Sequence, residues 1–193
     1  MTRLWHAIAV IAALALAGCV SRQESHDAIE ISGGVFPDGW IGRWTGALAT
    51  LGDSRLAPVT MTLEIAEVAH GRWSWTIIYE GEFGRQVRPY ELIAVDAAAG
   101  RFAIDEKNGI VIPLRFLEGT LYSTFEVMGS RIELRESLLG SGADAAILIE
   151  MATVPAAEST VTGGNADQSI PEVRCWTPRT VQRGRLVRQL QGK

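Results

Sequence analysis

Over residues 59–68 apolar side chains take every second position, with Val59, Met61, Leu63 and Ile65 alternating against Thr60, Thr62 and Glu64. A two-residue period sends successive side chains to opposite faces, so this stretch predicts a β-strand with one face buried. The same alternation recurs over 72–79, where Trp73, Trp75, Ile77 and Tyr79 share a face against Arg72, Ser74 and Thr76. Further segments with strand chemistry run over 40–48, 87–97, 101–105, 110–116, 120–128, 131–136 and 145–153. Between them lie His70-Gly71, the stretch 80–84, Ala99-Gly100, Asn108-Gly109, Glu118-Gly119, Gly129-Ser130 and Gly140-Ser141-Gly142, which punctuate the chain as tight turns do. Asn108-Gly109 is the strongest hairpin signal, because both residues tolerate the positive φ of a type I′ turn.

Nothing between these strands has a helical period long enough for a crossover, so neighbouring strands are expected to be antiparallel. The pattern predicts an all-β domain over residues 36–153, an antiparallel up-and-down (meander) β-barrel. A sandwich satisfies the same alternation, but consecutive hairpins favour up-and-down order, and closure removes the exposed edges of an open meander. Beyond it, 154–193 reads as an irregular linker and basic tail: Pro155, Ala156 and Gly163-Gly164 lead into Arg174, Arg179, Arg183, Arg185, Arg188 and Lys193. The tail can dock on the barrel as an extra strand, stay disordered, or lie on anionic headgroups.

An apolar run of another kind occupies residues 7–18, after a short stretch carrying Arg3. It is laid out as a secretory signal and is shorter than the ~20 residues of a spanning helix. It ends in Leu16-Ala17-Gly18-Cys19, which resembles the lipobox of bacterial lipoproteins. The resemblance implies that 1–18 is a lipoprotein signal peptide cut before Cys19. The Cys19 thiol then carries diacylglycerol and its new amine an acyl chain such as palmitate. A membrane is the partner so implied, and two or more chains give stable attachment. Val20, where Asp would signal retention, implies the periplasmic face of the outer membrane in a two-membrane bacterium. Residues 19–35, polar and weakly patterned, read as a flexible spacer between anchor and barrel.

Composition removes several functional classes. A formal net charge of −4 gives no basic field for nucleic acid. With Cys19 lipidated, Cys175 has no partner for a disulfide. Past the signal, only His26 and His70 could serve as histidine ligands or bases, and neither stands in a zinc or catalytic pattern. No nucleophile elbow or phosphate loop occurs. Asp105, Glu106 and Asn108 are too sparse for a calcium loop, and Glu80, Glu82, Glu91 and Asp96 read as solvated strand faces. No catalytic residue, cofactor or metal is therefore expected.

Gly42-Arg43-Trp44, followed by Gly46, resembles the Gly-x-Trp signature on the first strand of lipocalins. With the stretches 72–79, 88–92 and 104–110 it is similar to uncharacterised small lipocalin-like bacterial barrels. The resemblance implies a Trp44 that closes the barrel floor beneath a ligand cavity. The aromatic face then supplies the candidate ligand-binding residues Trp44, Trp73, Trp75, Tyr79 and Tyr90, with Arg88 at the mouth to grip an anionic head. The ligand would be a small apolar or amphiphilic molecule. The alternative is a filled aromatic core, with the lipoprotein acting structurally or through its surface. An enclosed apolar space of ~300 Å³ or more would separate the two.

Overall fold

The computed structural model describes residues 36–52, 56–164 and 169–189. The signal peptide, Cys19 and the spacer lie outside the described residues. The strands are β1 (Gly42–Leu51), β2 (Val59–Ala69), β3 (Arg72–Gly81), β4 (Gly84–Asp96), β5 (Arg101–Asp105), β6 (Val111–Leu117), β7 (Thr120–Val127), β8 (Ser130–Leu139), β9 (Ala146–Pro155), β10 (Ser159–Gly163), β11 (Glu172–Trp176) and β12 (Thr180–Arg188). Strands β1 to β9 pair in sequence order and β12 lies between β9 and β1, closing a ten-stranded antiparallel barrel. The expected meander barrel is present, and each of the nine expected strands has its counterpart.

Two expectations are corrected. The barrel domain does not stop at residue 153, because Thr180–Arg188 is its closing strand and Ser159–Gly163 pairs with Glu172–Trp176 as a separate two-stranded sheet. The extra-strand reading of the tail is the one realised. The β12 residues on the lumen side are Gln182, Gly184, Leu186 and Arg188, opposite Met151, Ile149, Ile147 and Trp44 respectively. Only one of the four is apolar, so the face that a period-two search looks for is missing. The Asn108-Gly109 turn is also different: positive φ falls on Lys107 (62°) and Gly109 (94°), not on Asn108. The Glu106 amide donates to the Ile110 carbonyl at 3.0 Å, leaving a three-residue loop. The Asn108 side chain holds it instead, accepting from the Ile110 amide at 3.0 Å and donating to Glu106 at 3.1 Å. The two-residue turns with positive φ at both positions are Glu118-Gly119 and Met128-Gly129.

Each β-ladder sorts its residues between lumen and exterior. Ile65 opposes Trp75, which opposes Tyr90, and Leu92 opposes Ile104, so apolar side chains meet inside. The alternate positions pair charges outside: Arg43 with Glu64, Arg131 with Glu126, Arg183 with Glu150. This is the reverse of a membrane-spanning barrel, whose outer band is apolar. Glu91 departs from the solvated face expected of it. It is buried on the exterior, where Arg72 and Lys107 both pair with it.

The floor is an aromatic plug. A 3₁₀ turn over Asp38–Trp40 brings Trp40 beneath the barrel, and Phe36 stands edge-on to Trp40 and Phe102 at 5.4 and 4.7 Å and stacks on Phe116 at 4.7 Å. Trp44 is fully buried and donates its indole N–H to the Trp40 carbonyl at 2.8 Å. From β12, the Arg188 guanidinium lies 4.1 Å over the Trp44 ring and donates to the carbonyls of Ile41 and Gly39 at 2.7 and 2.8 Å. Charge-assisted bonds of this kind are about twice as strong as neutral ones, and here they tie the last strand to the turn before the first. The β1–β12 seam is tight enough to require glycine: a Cβ on Gly46 would stand 2.1 Å from the Arg185 carbonyl oxygen, and one on Gly184 2.9 Å from that of Ala47.

Candidate functional site

Above the plug the lumen opens. An inner cavity of about 120 Å³ is lined chiefly by Trp75, Ile77, Ile104, Ile112, Leu114 and Leu134, with Phe125 and Met151 nearer the mouth. Tyr79, Tyr90, Arg88, Glu106, Ser123 and Glu136 add its polar groups. A second space of about 320 Å³ at the mouth shares Tyr79, Arg88 and Met151 with it and adds Gln86, Phe83 and Gln182. The ladders explain the lining: from the floor upwards β3 turns Trp75, Ile77 and Tyr79 inwards, and facing them β4 turns Tyr90, Arg88 and Gln86 inwards.

Of the six expected ligand-binding residues, the fold brings Trp75, Tyr79, Arg88 and Tyr90 together around the inner cavity. Trp44 and Trp73 are not among its lining residues. Both are buried in the core, Trp44 under Arg188 in the floor. Cys19 lies outside the described residues. Arg88 is placed at the junction of the two spaces, 5.1 Å over the Tyr79 ring. The neighbouring Arg72 and Arg85 pair on the exterior with Glu91 and Glu80.

The polar lining includes two buried residues outside the expected set, Glu136 and Ser123. Glu136 on β8 faces the lumen opposite Leu121 and Ile149 and is 4% exposed. Burial pushes its carboxyl up to about 7, because the ionised form loses hydration. Ser123 Oγ, also buried, has no hydrogen-bond partner among the described residues. Burial likewise raises Tyr79 and Tyr90, in both cases against the opposing pull of the Arg88 charge, so both phenols are neutral at pH 7. The sequence signal for Glu136 exists: between Leu134 and Leu138 it holds an apolar-parity position on β8. Without the strand register it reads as a surface charge.

The arrangement has the form of a small binding site, apolar walls with a few convergent polar groups. The inner cavity's volume falls below the ~300 Å³ set as the mark of a ligand-sized cavity, which favours a filled core over a site for a large ligand, and is close to the ~150 Å³ that holds a benzene ring. The oxygens at 105–108 are engaged in their own turn: Asp105 accepts from the Lys107 amide at 2.8 Å, and Asn108 bonds Glu106. No group of three or more His, Cys, Asp or Glu residues able to hold a metal occurs among the described residues. His70 is exposed in the β2–β3 turn, and Cys175 is exposed and free on β11. Comparison with known proteins finds no family model, no curated protein and no solved structure that matches this chain.

Proposed function

We propose that this chain is a membrane-anchored envelope lipoprotein whose barrel binds a small apolar or amphiphilic ligand. The observation that carries the binding reading is the inner cavity: an apolar lumen walled by Trp75, Ile77, Ile104 and Leu114, continuous through Arg88 with a polar mouth. Such a site packs the apolar body of a ligand against these walls and offers polar groups both within the cavity and at the mouth, where Arg88, Gln86 and Gln182 stand. The anchoring reading rests on Leu16-Ala17-Gly18-Cys19 and places the lipid on Cys19, at the periplasmic face of the outer membrane. The filled floor supports a second reading, a structural or interaction lipoprotein with a packed core.

Indole fluorescence of the full chain, followed while a short-chain amphiphile is added, separates the two. Saturation at one ligand per chain, weakened by ~1–3 kcal/mol in Trp75→Ala through lost apolar contact, supports the carrier. No response, together with a marked loss of stability in Trp75→Ala, supports the packed core. For the anchor, Cys19→Ala is expected to leave the membrane fraction or to remain uncleaved, and mature protein still anchored would contradict lipidation there.

A further inference from the structure

The inner cavity contains two polar groups that an apolar ligand leaves unused. Glu136 and Ser123 sit on adjacent strands, and the β7–β8 register sets Leu121 against Glu136 and Ser123 against Leu134, so both face the lumen one step apart. Both lie below Arg88, toward the floor. Ser123 Oγ is buried without a hydrogen-bond partner among the described residues, and the Glu136 side chain is buried beside it. An unpartnered polar group in an apolar interior is costly, and a ligand that supplies the missing partner recovers that cost on binding.

The surrounding groups decide what the partner must be. Tyr79 and Tyr90 are neutral at pH 7. Arg88 is nearer the mouth over Tyr79, and Glu106 faces the same rim beside Tyr90 and opposes its charge. Glu136 has no ion pair among the described residues, and Arg88, which lines both spaces, lies nearer the mouth than Glu136, which lines only the inner one. A carboxylate or phosphate entering head first would therefore meet a buried acid of its own sign. A cationic donor would find a carboxylate and a hydroxyl oxygen that both accept.

Resting on the carrier reading, we propose that the cavity selects a small amphiphile whose leading group is a protonated amine, held by the Glu136 carboxylate and Ser123 Oγ with its apolar body against Trp75 and Leu114. The cavity volume, about 120 Å³, limits the inserted part to the scale of one ring or a short alkyl chain. An ammonium binds the ionised carboxylate, so a site protonated at low pH must release its proton first. With a free-site value of about 7, the ionised fraction rises roughly tenfold between pH 6 and pH 8, and affinity should rise with it.

The test is calorimetric titration of the full chain with hexylamine, 1-hexanol and hexanoate at pH 6 and pH 8. Hexylamine is cationic at both values, an alkylamine having a pKa of ~10.4. Expected is one hexylammonium per chain, about tenfold tighter at pH 8 than at pH 6, with hexanol nearly independent of pH and hexanoate weakest at pH 8. Glu136→Gln should abolish the pH dependence and weaken hexylamine about tenfold at pH 8 while leaving hexanol within about twofold. Ser123→Ala should weaken hexylamine but keep its pH slope, a readout that does not depend on Glu136→Gln folding. If hexylamine binds no tighter than hexanol at pH 8, or keeps its pH slope in Glu136→Gln, the amine proposal is overturned and the carrier reading stands on hexanol. If none of the three binds, both fall.

Discussion

At the floor of the barrel Phe36, Trp40, Trp44, Phe102 and Phe116 fill the space between strands; the Trp44 indole is partnered by Trp40 and two Arg188 nitrogens by Ile41 and Gly39, while Arg188 Nε is buried without a partner among the described residues. Toward the mouth the barrel turns Arg88, Gln86 and Gln182 inwards, and the inner cavity holds the buried Glu136 and the unpartnered Ser123 Oγ. One continuous set of ladders thus changes from close packing to an incompletely satisfied lumen within the length of a strand. Packing density and hydrogen-bond completion go together with stability, whereas an unfilled, unsatisfied lumen goes with recognition. The contrast can be broken or sharpened by perturbing each end separately.

The largest effect is expected from deleting residues 177–193. Loss of β12 leaves β1 and β9 as open edges and removes Leu186 and Arg188 from the floor, so the cooperative thermal transition seen by circular dichroism should vanish. A retained sharp transition would show that the floor does not hold the barrel closed. Next, Trp44→Ala should lower unfolding free energy in urea by ~3–5 kcal/mol, the usual cost of emptying a large buried aromatic, with hexanol affinity at the mouth changed by less than about twofold. If both fall together, floor and mouth are one cooperative unit.

Glu136 gives an effect of opposite sign. Its folded-state value of about 7 lies above the model-peptide value of 4.5, so between these pH values the folded state holds a proton that the unfolded state has released. Stability therefore falls as pH rises through this window and stays reduced above it, by about 3 kcal/mol for a shift of this size. Glu136→Gln should remove that decline, making the variant more stable relative to the parent at pH 8 than at pH 5. Equal melting differences at the two pH values would refute the buried acid. Smallest is Arg88→Ala: an exposed guanidinium over one ring contributes less than ~1 kcal/mol, so its melting temperature should barely move while ligands with an anionic outer end weaken.

The same division explains what could be read from the chain alone. The floor and the β2–β3 walls were legible because Met61, Leu63, Ile65, Trp73 and Trp75 alternate cleanly with polar residues. Gly-x-Trp at 42–44 marked the residue that does close the floor. The aromatic face gave three cavity residues, Trp75, Tyr79 and Tyr90, but included Trp44 and Trp73, since parity tells which side of a sheet a residue faces and not how far up the lumen it lies. Glu136 escaped for the converse reason: a lone acid on an otherwise apolar parity is a core residue only once its neighbours on β7 and β9 are known. β12 stayed one of three readings of the tail because Gly184, demanded by the tight seam, with Gln182 and Arg188, occupies inward positions that apolar side chains usually mark.

The clamp formed by Arg188 has a consequence in time. It joins two points 147 positions apart, and the strand that carries it is the last of the barrel to be synthesised. Until it emerges, β1 has only one neighbour and Trp44 has no cation above it, so the growing chain cannot bank its native stability strand by strand. Pairings this distant in sequence close slowly, because the intervening chain must be ordered before the contact rewards it. Emergence of β12 thus acts as the trigger for folding, and any bulky group inserted immediately after Arg188 would delay it.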